Sequence, residues 1–174
     1  MTLNNIETHS LSDYMPRARV LQELVLPECG PCSARQLIAD SGYVYTNDHV
    51  LSALDSLCPN YGSKRLPRVR IRIVAFDKYV SPLRVREVSP SLGLTGLHMF
   101  DALRFGKEFP GYGGQGEITY FLHTPYKHGS LSGKIRTVLL TINCVPGGRA
   151  LTWTRVKGRI QGGRPVTFAL RVRD

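Results

Sequence analysis

Hydrophobic and polar positions alternate with period two over much of the last two-thirds of the chain. The clearest case runs from Arg68 to Phe76, where apolar residues at every second position alternate with arginines. Side chains on a strand point alternately to its two faces, so this stretch predicts a strand with one apolar and one cationic face. Leu83 to Val88 repeats the pattern and predicts a second strand of this kind.

Further strands are predicted at Ile118–Leu122, Ile135–Val145, Ala150–Lys157 and Val166–Val172. The second of these is apolar on both faces at its centre, which is typical of a strand in the middle of a sheet. Gly-Gly turns at 146–148 and 161–163 join the last three strands. Short glycine turns between strands favour hairpins, so this region predicts an antiparallel meander.

Three helices are predicted by different signals. Ser33 and Gln36 form a capping box, which marks a helix start. A second helix is predicted from Asn47, after which apolar residues recur at helical spacing. A third runs from Leu97 to Phe105 behind a Thr95 cap. The predicted class is therefore α+β: an antiparallel β-sheet with a C-terminal meander, one inserted helix and a small N-terminal helical segment.

The charge of the chain is unevenly distributed. The 174 residues carry a net charge of +10, with 42% apolar residues, enough for one core. Residues 1–63 hold three basic and seven acidic side chains, a net charge of −4, whereas residues 64–174 hold 20 basic and six acidic ones, a net charge of +14. These shifts predict a flexible N-terminus at 1–18, a small acidic helical segment at 19–63 and a basic antiparallel β-rich domain at 64–174.

The basic residues of this last segment alternate with core residues, so we expect them on a folded surface. Such an excess indicates a polyanionic partner, either RNA, an anionic membrane surface or an acidic protein. Arginine dominates, and its planar guanidinium suits phosphate groups. Charged strand faces also prevent edge aggregation, and this simpler explanation stays open. The candidate polyanion-binding residues are Arg68, Arg70, Arg72, Arg84, Arg86, Lys134, Arg136, Arg155, Lys157, Arg159, Arg171 and Arg173.

Two of the four cysteines form the string Cys29-Gly-Pro-Cys32, which is the active-site tetrapeptide of thioredoxins. It stands before a capped helix, where a thiol pKa would fall. However, Glu28 replaces the usual aromatic residue, and no βαβ unit precedes the motif.

The same cysteines also allow a structural zinc site, whose candidate ligands are Cys29, Cys32, His49 and Cys58. Ordinary free cysteines are the simpler explanation of the pattern. A zinc or thiol-redox module therefore stays an alternative, and no other cofactor is expected.

Several classes of protein are not expected. No combination of residues predicts a catalytic constellation, so we expect a non-enzymatic protein. No apolar run approaches the roughly 18 residues of a spanning helix. The N-terminus is polar and lacks a secretory signal pattern. We therefore expect a reducing compartment and at most peripheral membrane contact.

The order of elements in residues 68–173 resembles that of rhabdovirus matrix proteins, particularly the short ones of plant-infecting members. The features shared are a basic strand at 68–76, a compact helix at 97–105, a strand with a Pro-Tyr exit at 118–126 and late basic strands at 135–145 and 166–172. The chain lacks the Lys-rich N-terminal arm and the Pro-Pro-x-Tyr budding motif of better-known members.

This resemblance implies a structural protein of the virion and host cytoplasm that self-associates and bridges the nucleocapsid to the anionic inner face of a membrane. The charge split suggests that the acidic segment of one copy contacts the basic sheet of another, a head-to-tail contact that can propagate. A small viral coat protein or an RNA-binding silencing suppressor is the alternative from a different class.

Overall fold

The computed structural model describes residues 17–48, 50–51, 54, 65–76, 80–112, 118–123, 126–129, 135–155 and 166–173. The strands within this part are β1 Ala18–Leu26, β2 Tyr45–Thr46, β3 Val69–Phe76, β4 Leu94–Thr95, β5 Ile118–Phe121, β6 Tyr126–Gly129, β7 Ile135–Val145, β8 Gly148–Arg155 and β9 Val166–Val172. The helices are α1 Ala34–Asp40, α2 Pro82–Val88 and α3 Met99–Glu108. A short 3-10 helix, Ser89–Leu92, follows α2.

All described strands belong to one sheet, which confirms the predicted α+β class. The strand order is β1-β3-β9-β5-β7-β8-β2, with β4 added beside β9 and β6 beside β7. Most neighbouring strands are antiparallel, but β5 runs parallel to β9 and β2 runs parallel to β8. The sheet is therefore mixed and not purely antiparallel.

Helices cover both faces of this sheet, and the sheet separates two apolar clusters. One cluster packs Ile71 and Ile73 of β3 against Phe100 and Leu103 of α3, and it also includes Leu37 of α1. We call this side of the sheet the α1/α3 face. The other cluster lies on the opposite side, which we call the α2 face; its buried residues include Val74, Val85, Leu94, Tyr120, Phe168 and Leu170. The molecule thus has three layers, with the sheet in the middle.

The predicted meander is wrong in its last step. β7 and β8 do form the expected hairpin around Pro146, and Gly147 has the positive φ of +88° that this turn needs. β9, however, pairs with β3 and β5 and not with β8. Four consecutive residues, Thr167 to Leu170, are buried, so β9 needs cover on both faces and neighbours on both edges.

The strand predicted at Leu83–Val88 is also wrong, because this segment forms α2. The Ser81 side chain accepts a hydrogen bond from the backbone N–H of Arg84, and Pro82 occupies the first helical position. Val85 and Val88 are both buried and three residues apart, which places them on one side of a helix. In its described residues, 80–112, the inserted region therefore contains two α-helices where one was expected.

The predicted helix at 97–105 forms, but it begins later than expected. His98, not Thr95, is the N-cap: its Nδ1 accepts from the Phe100 amide, and Asp101 accepts from the His98 amide. Partial burial lowers the pKa of His98 below its ordinary value of 6.5, and the nearby Asp101 carboxylate opposes this shift. A neutral imidazole is what the cap requires, because a protonated Nδ1 cannot accept a hydrogen bond.

The acidic segment at 19–63 joins the sheet as well as forming helices. Its β1 pairs with β3 along eight residue pairs, interrupted by one register shift next to Leu21. The predicted start of α1 is confirmed, since Ser33 accepts from the Gln36 amide. Residues 48, 50, 51 and 54 are helical, in agreement with the helix predicted from Asn47. The predicted flexible N-terminus lies almost entirely outside the described residues.

Candidate polyanion-binding surface

The predicted arginine strand forms as β3, and its cationic side is the α2 face. Val69, Ile71 and Ile73 are buried, while Arg70 between them is exposed and Arg72 is half-buried. Arg70 and Arg72 share the side of the strand that carries Val74, a member of the cluster beneath α2. Arg68 is exposed immediately before β3.

α2 adds two more predicted arginines to the same side of the molecule. Val85 belongs to the cluster below and Val88 is also buried, whereas Arg84 and Arg86 are exposed. Arg84 Nη1 lies 2.8 Å from the Glu87 carboxylate, in a pair that is about half exposed. Arg86 has no acidic partner within 4 Å among the described residues and lines a cleft of about 230 Å³ whose lining also includes His123. Arg70 and Arg72 of β3 and Arg84 and Arg86 of α2 thus lie on the same side of the sheet, and we call them together the α2-face arginine surface.

Two exposed leucines lie beside these arginines. Leu83 of α2 is 38% exposed and Leu92 of the following 3-10 helix is 39% exposed. α2 therefore presents an exposed leucine beside its arginines, and the 3-10 helix that follows it presents a second one.

The remaining predicted residues are distributed elsewhere or fall outside the described part. Arg171 pairs with Ile71 across the sheet, so it lies on the α1/α3 face and is half-buried. Arg173 is exposed after β9. Arg136 and Arg155 belong to β7 and β8 respectively. Lys134, Lys157 and Arg159 lie outside the described residues.

Three acidic side chains of residues 19–63 are neutralised by basic residues of the same chain. Arg72 Nε lies 2.8 Å from the Glu23 carboxylate, Arg65 Nε lies 2.5 Å from that of Glu28, and Lys107 Nζ lies 2.9 Å from that of Asp40. The hydrogen bonds from Lys107 and Gln36 lower the pKa of the Asp40 carboxyl. A head-to-tail contact between copies would therefore compete with ion pairs that the chain already makes internally.

Two basic residues that contribute to the +14 segment are buried and hold the fold together. Arg104 is 1% exposed; its Nη1 lies 2.9 Å from the Asp101 carboxylate and 3.1 Å from the Pro67 carbonyl oxygen, and its Nη2 also donates to Pro27. It ties α3 to the segment that follows β1 and to the segment that precedes β3. Charge counting from the sequence did not distinguish this residue from the surface arginines.

Arg149 is the second buried arginine, and it joins two helix ends. Its guanidinium donates to the Gly106 carbonyl in the last turn of α3 and to the Ser41 carbonyl at the end of α1. It also lies 5.1 Å from the ring centroid of Tyr43. Helix C-termini carry partial negative charge, so a cation at this place satisfies both helices.

The cysteine motif lies between β1 and α1. Cys29 Sγ is 3.5 Å from Cys32 Sγ, and both residues are partly buried. Burial, followed by the hydrogen bond and charge of Cys29, raises the pKa of Cys32 to about 11. Within the described part, no group of three or more His, Cys, Asp or Glu residues is placed to hold a metal. The other two predicted zinc ligands, His49 and Cys58, lie outside it, so the zinc site stays a prediction.

His123 is a buried histidine with a structural contact. Its Nε2 accepts a hydrogen bond of 2.8 Å from the Leu140 amide on β7. This nitrogen must be unprotonated to accept, so the neutral ring links the chain after β5 to the backbone of β7.

No helix among the described residues is long and apolar enough to cross a membrane.

Comparisons with known proteins add no relative: no family model matches the chain, and neither a curated protein nor a solved structure matches it.

Proposed function

We propose that this chain is a non-enzymatic structural protein that binds anionic membrane and RNA through the α2-face arginine surface. The observation that carries the proposal is the placement of exposed arginines from β3 and α2 on one side of the sheet. In this role it would self-associate and bridge a nucleocapsid to the inner face of a membrane, as matrix proteins of the virion and host cytoplasm do.

The exposed leucines favour a lipid surface as one of the partners. Leu83 precedes Arg84 on α2 and Leu92 is exposed on the next helix, and a mixture of apolar and cationic side chains suits the interface between headgroups and acyl chains. The long arginine stems can extend along this boundary while their charged ends meet phosphate. Each arginine near an anionic surface contributes about 1 kcal/mol.

An RNA-only role is the second candidate, since the same arginines can meet RNA phosphates with release of counterions. The jelly-roll form of a coat protein needs two packed sheets, whereas the described strands form one sheet. An RNA-binding silencing suppressor makes no such demand.

The test is liposome flotation with and without RNA, at several salt concentrations. Flotation with vesicles that contain phosphatidylserine, together with RNA capture, supports the proposal. RNA capture without flotation supports the suppressor role and contradicts the matrix role. Flotation with neutral phosphatidylcholine vesicles to the same extent would show that the arginines are not responsible.

A pair of charge variants locates the surface. The double variant Arg70→Gln/Arg86→Gln removes two cations from the α2 face and is expected to weaken vesicle binding about 30-fold, because two arginines contribute about 2 kcal/mol. The control, Arg35→Gln/Lys107→Gln, removes the same net charge from the helices of the opposite face; it also breaks the Lys107–Asp40 ion pair, so the thermal stability of both variants is compared as well. Equal losses in both variants would mean that net charge alone, and not this surface, drives binding.

A further inference from the structure

The pair of cysteines between β1 and α1 has a geometry that the proposed function does not use. The two sulfur atoms are 3.5 Å apart, and a disulfide bond is about 2.0 Å long, so a small movement of either side chain closes the gap. The third described cysteine, Cys144, lies on β7, away from the pair in the fold. The closeness of Cys29 and Cys32 is therefore a local property of the segment between Pro27 and α1.

This segment is the place where three parts of the fold meet. The Cys29 amide donates to the Leu66 carbonyl at 3.0 Å, and the Leu66 amide donates to the Cys29 carbonyl at 2.8 Å. These two bonds join the chain after β1 to the chain before β3. Cys32 immediately precedes Ser33, the N-cap of α1. A bond between the two sulfurs would thus connect the bridge position to the start of the helix.

Arg104 already holds the same junction from the side of α3. Its guanidinium donates to the carbonyls of Pro27 and Pro67, which flank the bridge on its two strands. The backbone around the cysteines is therefore positioned by contacts that do not depend on the sulfur atoms. Because this backbone is already ordered, forming the disulfide costs little further conformational entropy, and this favours the oxidised pair.

We propose that Cys29 and Cys32 form a reversible oxidation site, which closes to an intramolecular disulfide by exchange with a low-molecular-weight disulfide such as oxidised glutathione. In the oxidised form the disulfide closes the segment that joins the end of β1 to the start of α1, while the link to the chain before β3 is still made by the Cys29–Leu66 hydrogen bonds.

The chemistry is two consecutive thiol–disulfide exchanges. One cysteine thiolate attacks a sulfur of the small disulfide; a protein–glutathione bond forms, the original S–S bond breaks, and the departing thiolate takes a proton from water. The other cysteine loses its proton to water and attacks the protein sulfur of the mixed disulfide, releasing the second glutathione. The two cysteines lose two electrons and two protons, and one glutathione disulfide becomes two glutathione molecules.

The experiment equilibrates the full chain with mixtures of reduced and oxidised glutathione, traps free thiols with an alkylating reagent and maps peptides by mass spectrometry. A Cys29–Cys32 disulfide that disappears on addition of reduced glutathione supports the proposal. Stable glutathione adducts on either cysteine, or two thiols that stay alkylatable at the most oxidising ratio, would overturn it. A zinc ion found by metal analysis that protects both thiols until a chelator is added would also overturn it.

Hydrogen exchange tests the structural consequence. The Leu66 amide is expected to exchange on the order of tenfold more slowly in the oxidised chain, since the disulfide restricts the segment that carries Cys29 and makes opening of the Cys29–Leu66 bridge rarer. The Cys32→Ser variant, with Cys144→Ser as the matched control, should abolish this difference while the control retains it. Equal Leu66 exchange in oxidised and reduced wild-type chain would show that the disulfide does not fix the junction.

Discussion

Replacement of the buried Arg104 is the sharpest test of how α3 is held to the chain after β1 and before β3. Arg104→Met removes the guanidinium but keeps a long apolar stem in the same place. The Asp101 carboxylate, whose side chain is 6% exposed, then stays buried without its partner. The carbonyls of Pro27 and Pro67 lose their charged donor as well.

Breaking a buried ion pair by removal of one partner costs about 3–5 kcal/mol. That is a large part of the roughly 5–15 kcal/mol that holds a typical domain together. The chain supplies its own control, because Arg84 and Glu87 form a pair with the same three-residue spacing and a distance of 2.8 Å against 2.9 Å. This second pair is 45% and 51% exposed, so Arg84→Met should cost about 0–1 kcal/mol.

Urea unfolding followed by circular dichroism measures both variants, with the midpoint and the slope compared to wild type. Asp101→Asn and the double variant with Arg104→Met complete a double-mutant cycle. The double variant should lose less unfolding free energy than the sum of the losses in the two single variants. Arg104→Lys keeps the charge but not the planar guanidinium, so its stability should lie between those of wild type and Arg104→Met. It also serves as the measurable variant if Arg104→Met does not fold.

Equal destabilisation by Arg104→Met and Arg84→Met would refute the reasoning, because the two pairs differ mainly in burial. Additive effects in the Asp101–Arg104 cycle would likewise show that the two side chains do not act together.

Two further predictions concern α3. Gly106→Ala should destabilise the fold by about 1–3 kcal/mol, because the added Cβ would overlap the hydroxyl of Tyr43; Tyr43→Phe should recover part of the loss, and thermal unfolding of the single and double variants measures both. Folding lowers the pKa of His98 below 6.5, so His98 binds a proton at a higher pH in the unfolded state than in the folded state. The stability that neutral His98 contributes is therefore complete above pH 6.5 and decreases as the pH falls below it. His98→Asn keeps a side chain that can cap the helix, so its unfolding free energy should fall less between pH 7.5 and 5.5 than that of wild type; an identical decline would contradict the assignment.

The sequence predicted the local parts of this fold better than the long-range ones. The β7–β8 hairpin follows from residues next to each other, namely Pro146 and the glycines behind it. The place of β9 depends on β3 and β5, which come much earlier in the chain, and no local signal records such pairing. The buried residues Thr167–Leu170 indicate the central position of β9, because a strand at the edge of a meander does not need four consecutive buried residues.

Short alternating segments were ambiguous for a physical reason. Val85 and Val88 fit one face of a helix, while Leu83 and Val85 fit one face of a strand, and six residues cannot separate the two. Ser81 and Pro82 favour the helix. The Ser81 side chain accepts a hydrogen bond from a backbone N–H of the first turn, and Pro82 fits the first helical position. These two residues lie just outside the alternating pattern, where the periodicity does not reach.

The candidate surface was predicted where an arginine follows strand alternation, as in Arg70 and Arg72. The buried roles of Arg104 and Arg149 were missed, because a charge count treats every basic residue alike. Arg104 did carry a signal: with Asp101 three residues earlier, it is a charged pair within the otherwise apolar run from Phe100 to Phe105. Such a pair on the core side of a helix indicates an internal ion pair.

The position of β9 also determines when the sheet can be completed during synthesis. β9 is the last described strand to leave the ribosome, yet it joins the β1–β3 pair to the group formed by β5, β7, β8 and β2. Until it arrives, β3 and β5 each expose an open edge with buried-type residues beside it. We therefore expect the nascent chain to hold two incomplete half-sheets that depend on rapid closure by β9, and to be most prone to aggregation just before that strand emerges.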